Sequence, residues 1–316
     1  MICNLCPRNC NAVRTETVGG GVCGMPSAAV VAKVMLHPWE EPCLTGERGA
    51  GAVFFAGCAL RCAYCQNGAI SRPDASKRNA ASNPDNVNNP LNDGASQSDA
   101  ASNSVSTWKR LDASGLRELF RDLIARGAAC LDLVTPSHFA PVLRDALRGQ
   151  DWGVPVVWNC GGYEKPETLR TLEGLINVYL PDMKYALTET AKLSAAPDYF
   201  QWASAAIEEM FRQTGPYRME NGRLISGVLI RHLMLPGELE NTRRVIDWVS
   251  RTFRPGDALF SLMRQYTPQA GASGKLARRV TGGEYRAALA YLENCGVADG
   301  YFQDAASAVS EYIPDF

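Results

Sequence analysis

Between residues 50 and 265 short apolar runs alternate with longer segments whose apolar residues recur at helical spacing, and this alternation admits only a few folds. Runs such as Val154-Pro155-Val156-Val157-Trp158, Ile176-Asn177-Val178-Tyr179-Leu180 and Gly227-Val228-Leu229-Ile230 are too apolar for a sheet with one wet face, so they read as strands buried on both sides. The pattern predicts strands over 50–56, 130–135, 154–159, 177–183, 226–235 and 258–265, and helices over 114–126, 139–148, 166–173, 198–213 and 241–252. Strands alternating with helices give a parallel sheet with right-handed crossovers. Six such units are too few for an eight-stranded barrel, which leaves an open doubly wound sheet or a partial barrel. In either, the chemistry belongs at the carboxyl ends of the strands.

The polar residues at those ends are few. The first strand runs into Gly57-Cys58-Ala59-Leu60-Arg61-Cys62-Ala63-Tyr64-Cys65-Gln66-Asn67. Three soft thiol ligands in one C-x3-C-x2-C loop grip one metal cluster and leave one iron of a 4Fe-4S cluster without a protein ligand, open to a substrate or cofactor. The second strand is followed by Thr135-Pro136-Ser137-His138, where Ser137 also reads as a helix N-cap. The third ends Asn159-Cys160-Gly161-Gly162, whose glycines fit a tight strand exit. In the fourth, Asp182 and Lys184 fall on one side of the strand because side chains repeat with period two. In the fifth, Arg231 lies inside the apolar run Leu229 to Gly237 and is costly there unless it meets an anion.

The three-cysteine loop, with an aromatic before its last cysteine, resembles the signature of radical S-adenosylmethionine (SAM) enzymes, and Gln66-Asn67 resembles their glycyl-radical-enzyme activase branch. The likeness continues through Glu40-Glu41-Pro42, Phe54-Phe55-Ala56-Gly57 and the Thr-Pro-Ser-His stretch, which look like a branch related to pyruvate formate-lyase-activating enzyme and often called PflX-like. It implies a partial (β/α)6 TIM-like barrel of the α/β class, a 4Fe-4S cluster on Cys58, Cys62 and Cys65, and SAM chelated on the open iron. One electron from the reduced cluster then cleaves SAM to a 5'-deoxyadenosyl radical. By the same likeness Tyr64 and Asn67 border the adenosyl end, and Lys184, Asp182 and Arg231 orient the SAM polar groups. Ser137 and His138 stand where relatives carry a Gly-Gly-Glu that holds the SAM amino group. Asn159 stands where activases touch SAM or a monovalent cation, and an amide is a weak ligand for that cation.

Residues 1–49 form a cysteine-rich lead to the barrel of 50–316. Cys3, Cys6, Cys10 and Cys23, with glycine-rich turns between them, suit a zinc site or an auxiliary iron-sulfur cluster, and spacing does not choose between the two. A metal there also supplies stability that so polar a segment otherwise lacks. The run 73–107 is Asn, Ser, Asp and Ala with almost no large apolar residue, so disorder is the default and no chemistry is assigned to it.

A net charge of -1 gives no basic footprint for nucleic acid. No stretch has the roughly twenty apolar residues of a membrane span. The opening Met1-Ile2-Cys3-Asn4 has neither region of a secretory leader, and clustered cysteines fit a reducing, cytoplasmic setting. The resemblance implies an oxidoreductase that takes a hydrogen atom from a glycine of a partner enzyme, with a flavodoxin or ferredoxin as reductant. A radical SAM enzyme acting on a small molecule or another protein residue is the alternative, and a non-catalytic iron-sulfur electron carrier a further one.

Overall fold

The computed structural model describes residues 2–72 and 108–302, so the low-complexity run expected to be disordered lies outside the described residues. Twelve strands are named in chain order: β1 (Ile2–Cys3), β2 (Ala12–Val13), β3 (Ala29–His37), β4 (Ala50–Phe55), β5 (Lys109–Leu111), β6 (Leu131–Val134), β7 (Val156–Cys160), β8 (Val178–Pro181), β9 (Arg218–Glu220), β10 (Arg223–Leu233), β11 (Leu259–Met263) and β12 (Gly300–Phe302). The first two pair in a small antiparallel ribbon. The rest form one sheet in the order β12-β11-β10-β8-β7-β6-β4-β3-β5, with β9 on β10.

From β4 to β12 every neighbouring pair along that path is parallel and follows chain order. The sheet is therefore wound in one direction, and the doubly wound alternative is set aside, because a doubly wound sheet reverses strand order at a switch point. Crossovers of one hand in a single direction put their helices on one face. Packing agrees: Leu131, Leu133, Trp158, Tyr179, Ile230 and Leu262 point from the sheet into the main apolar core with Phe120, Leu143, Ile207 and Val245 of the helices. On the opposite face Val157, Val178, Leu180, Leu229 and Leu259 form a second cluster with Cys43 and Leu44 of the short helix Pro42–Thr45. Strand residues of alternate parity thus fill two separate cores, which is why these runs carry so few polar residues.

All six expected strands are present. The sheet also has members the sequence pattern did not supply. Ala29–His37, inside the stretch read as the lead, pairs antiparallel with β4 and β5. A helix at Gly282–Asn294 starts at a capping box of Thr281 and Glu284, and β12 extends the sheet by one more strand. The expected helix 166–173 stops at Arg170. No helix of the described residues is long and apolar enough to cross a membrane.

Candidate functional site

The carboxyl ends of β4, β6, β7, β8, β10 and β11 open on one cavity of about 250 Å³, lined among others by Cys58, Cys62, Cys65, Asn159, Asp182, Lys184 and Arg231. Residues scattered from 37 to 265 meet there because the sheet presents successive strand ends side by side.

The cysteine loop leaves β4 through Gly57, whose φ is +80°. A Cβ at that position would stand 2.5 Å from Met25 Cγ and 2.9 Å from the Cys23 carbonyl oxygen, so glycine answers both a left-handed backbone and a close approach of the lead. The rest of the loop is held by backbone and arginine contacts. Ala63 N–H donates to the Leu193 carbonyl at 2.8 Å, Arg61 N–H to Ser194 at 3.1 Å, and Arg8 Nε to Ala59 at 2.7 Å. Arg72 donates to the Cys62 carbonyl. Burial pushes the Cys58 thiol up to about 12, with repulsion from Cys62 and Cys65 adding to it. Cationic iron offsets both penalties on a thiolate, so this donor set fits an iron-sulfur cluster.

Across the cavity, Asp182 and Arg231 are bridged neighbours just past the β8/β10 pairing. Arg231 donates from Nε to Asp182 Oδ1 at 3.1 Å, from Nη1 to Glu40 Oε1 at 3.1 Å, and from Nη2 to Asn159 Oδ1 at 2.6 Å. Lys184 Nζ meets the other Asp182 oxygen at 2.5 Å. Burial alone raises the Asp182 carboxyl, but Lys184 and Arg231 outweigh it and hold the group below the usual carboxylate range. Burial lowers the Lys184 ammonium, and Asp182 and Cys62 reverse that into a net rise. The anion that Arg231 was expected to require is thus supplied by the protein itself.

Behind this cluster lies an acid that the sequence reading passed over. Asp132 is fully buried in β6. Its Oδ2 accepts from Asn159 Nδ2 at 3.3 Å, while Oδ1 has no hydrogen-bond partner. Burial and the nearby Glu40 push its carboxyl well above the usual carboxylate range. Glu41 is raised to about 7, first by burial and then by Glu40. The signal for Asp132 was present: a charge inside Cys130-Leu131-Asp132-Leu133-Val134 is as anomalous as Arg231 in its own strand. Nothing in the sequence marks Glu40 as the partner of Arg231, 191 residues away.

Tyr64 and Asn67 line the cavity, and the Tyr64 ring packs edge-on to Tyr185 and Tyr266. Ser137 and His138 do not line it. Ser137 donates to the buried Glu164 carboxylate, and His138 Nε2 donates to the Ala56 carbonyl at 2.7 Å. Burial lowers His138 to about 3, so it is a neutral prop under the cysteine loop. His232 similarly ties Met183 to the helix Leu239–Thr252, donating from Nδ1 to Met183 O at 2.6 Å.

In the lead, Cys3 and Cys6 are buried and Cys10 and Cys23 half-buried. Buried Arg14 donates to Cys3 Sγ at 3.3 Å, and burial pushes Cys6 up to about 12. Among the described residues no three His, Cys, Asp or Glu side chains converge tightly enough to hold a single metal ion. A polynuclear cluster interposes its own iron and sulfide and does not require its thiols to meet at one point.

No protein-family model matches the chain. It is 26% identical over 297 residues to the uncharacterised protein MJ0674 of Methanocaldococcus jannaschii, covering 92% of this chain and 74% of that protein. Among solved structures, methylornithine synthase (PylB) matches 79% of this chain and 70% of its own at 14% identity, with a TM-score of 0.45. Neither likeness assigns an activity, and the functional reading rests on the site itself.

Proposed function

We propose that the chain is a radical SAM enzyme with a 4Fe-4S cluster on Cys58, Cys62 and Cys65, built on a partial barrel whose open end is the cavity. The observation that carries this reading is the opening of the three-thiol loop onto the same cavity as the Asp182, Lys184, Arg231 and Asn159 cluster. One-directional strand order and two cores of opposite strand parity support the curved sheet that a partial barrel requires.

When bound, the cluster and SAM supply one-electron cleavage of a carbon–sulfur bond and a carbon-centred oxidant for hydrogen-atom abstraction. The chain's own residues bind and orient. Lys184 offers an ammonium to the SAM carboxylate, and Arg231 fixes Asp182 and Asn159 by taking one oxygen from each. Asp182 in turn anchors the Lys184 ammonium at the cavity wall. Tyr64 and Asn67 border the space left for the adenosyl end.

The substrate proposed is a glycine Cα of a partner glycyl-radical enzyme, with a flavodoxin or ferredoxin as electron donor; the D-x-K placement supports it. The test mixes anaerobically reconstituted protein, dithionite and SAM with candidate partner enzymes and looks for a glycyl doublet by EPR. A doublet that requires all components supports the activase. Consumption of SAM with no doublet on any partner points instead to a small molecule or another protein residue.

A further inference from the structure

Cys62 receives a hydroxyl from a distant part of the fold, Ser194 Oγ donating to Cys62 Sγ at 2.9 Å, while Cys65 Sγ lies 3.3 Å from the hydroxyl of Ser71, six residues along its own segment. Ser194 is completely buried. It ends the 3-10 turn Lys192–Ser194, after which Ala195 turns left-handed with φ +50°. The turn is fastened to the cysteine loop on both sides of Cys62, through Arg61 N–H to Ser194 O and Ala63 N–H to Leu193 O. Arg8 Nη2 adds a third bond to Ser194 O at 3.2 Å. The serine therefore cannot drift away from the sulfur without the whole buckle opening.

The Ser194 oxygen lies 2.5 Å from the Tyr185 hydroxyl, which lies 2.5 Å from the Tyr64 hydroxyl. Counting hydrogens fixes the direction of this chain. A ligating thiolate has no hydrogen to give, so Ser194 spends its only one on Cys62. Tyr185 must then donate to Ser194, and Tyr64 to Tyr185. All three O–H dipoles point toward the sulfur, and each polarises the next through contacts that are all buried. Tyr64, the first member, lines the cavity itself.

We infer that Ser194, backed by Tyr185 and Tyr64, sets the reduction potential of the cluster by donating a hydrogen bond to its Cys62 ligand. This rests on the cluster assignment made above. Reduction adds an electron whose charge is shared with the thiolates, so a donated hydrogen bond stabilises the reduced form more than the oxidised form. Ser194 is a positioning residue, acting through Cys62 and not on substrate.

The test is a potentiometric titration of reconstituted wild type, Ser194→Ala and Tyr185→Phe, followed by the EPR signal of the reduced cluster. Ser194→Ala should carry about tenfold less reduced cluster at a fixed potential, a fall in midpoint of about 59 mV for one electron. Tyr185→Phe, nearly isosteric, keeps the serine and should shift the midpoint in the same direction by less. Midpoints that coincide with wild type in both variants, at equal iron and sulfide content, overturn the inference and leave the cluster assignment intact. Wild type that takes up no cluster overturns both.

Discussion

Replacing Arg231 with methionine should cost about 3–5 kcal/mol of stability at pH 7, because it removes one partner of a buried ion network and leaves the other charges uncompensated. The side chains concerned are largely closed to water: Arg231 is 15% exposed, Glu40 10% and Asp182 18%. Three charge-assisted bonds are lost, two at 3.1 Å to Asp182 and Glu40 and one at 2.6 Å to Asn159; at about 1.5–3 kcal/mol each their sum starts near the top of that range. Urea unfolding followed by far-UV circular dichroism measures it. With a slope on the order of 3 kcal/mol per molar, the midpoint should fall by about 1–1.7 M.

The loss should also depend on pH. Asp182 is held below its usual range when folded, so its contribution is present above that range and fades as pH falls through the folded value. In Arg231→Met the carboxylate keeps only Lys184, its folded value rises, and protonation relieves the penalty. The gap between variant and wild type should therefore be widest at pH 7 and narrow toward pH 3. A gap under 1 kcal/mol at pH 7, or one that is the same at both pH values, would refute the network as described.

Two more expectations concern the supports of the site. The buried Glu164 carboxyl is raised from 4.5 to about 7 by burial, so the folded state binds the extra proton and stability on its account falls as pH rises from about 4.5 to 7. Glu164→Gln should gain about 3 kcal/mol relative to wild type on going from pH 4.5 to pH 8, read from thermal unfolding midpoints at each pH. Gly57→Ala should cost about 2 kcal/mol through its positive φ and the crowding by Met25 and Cys23, and should retain less iron after reconstitution than wild type.

The strands that build the cavity were legible because burial on both faces leaves an apolar run that few other structures need. Arg231, Asp182 and Lys184 stood out within or beside those runs, and the structure joins them. Ala29-Val30-Val31-Ala32 was equally apolar, yet its position among cysteines masked it as a strand. The helix after Thr281 carries a capping box that the sequence reading passed over, whereas β12 is three residues long and starts at a glycine, too short to carry a pattern.

What the sequence could not show is pairing across distance. Ser194 and Cys62 are 132 residues apart, and only the sheet's winding brings the 3-10 turn onto the cysteine loop. Ser137 and His138 follow a strand end, the right place for a ligand contact, but burial turned them onto Glu164 and the Ala56 carbonyl. A charge or hydroxyl near a strand end is thus a candidate whose partner only the packing decides.

The central claim is tested most directly by 5'-deoxyadenosine. Protein loaded anaerobically with iron and sulfide, then given dithionite and SAM, should release it, and the Cys58→Ala, Cys62→Ala, Cys65→Ala variant should release none. Wild type carrying a full complement of iron and sulfide that forms no 5'-deoxyadenosine would contradict the radical SAM reading and leave an electron carrier in its place.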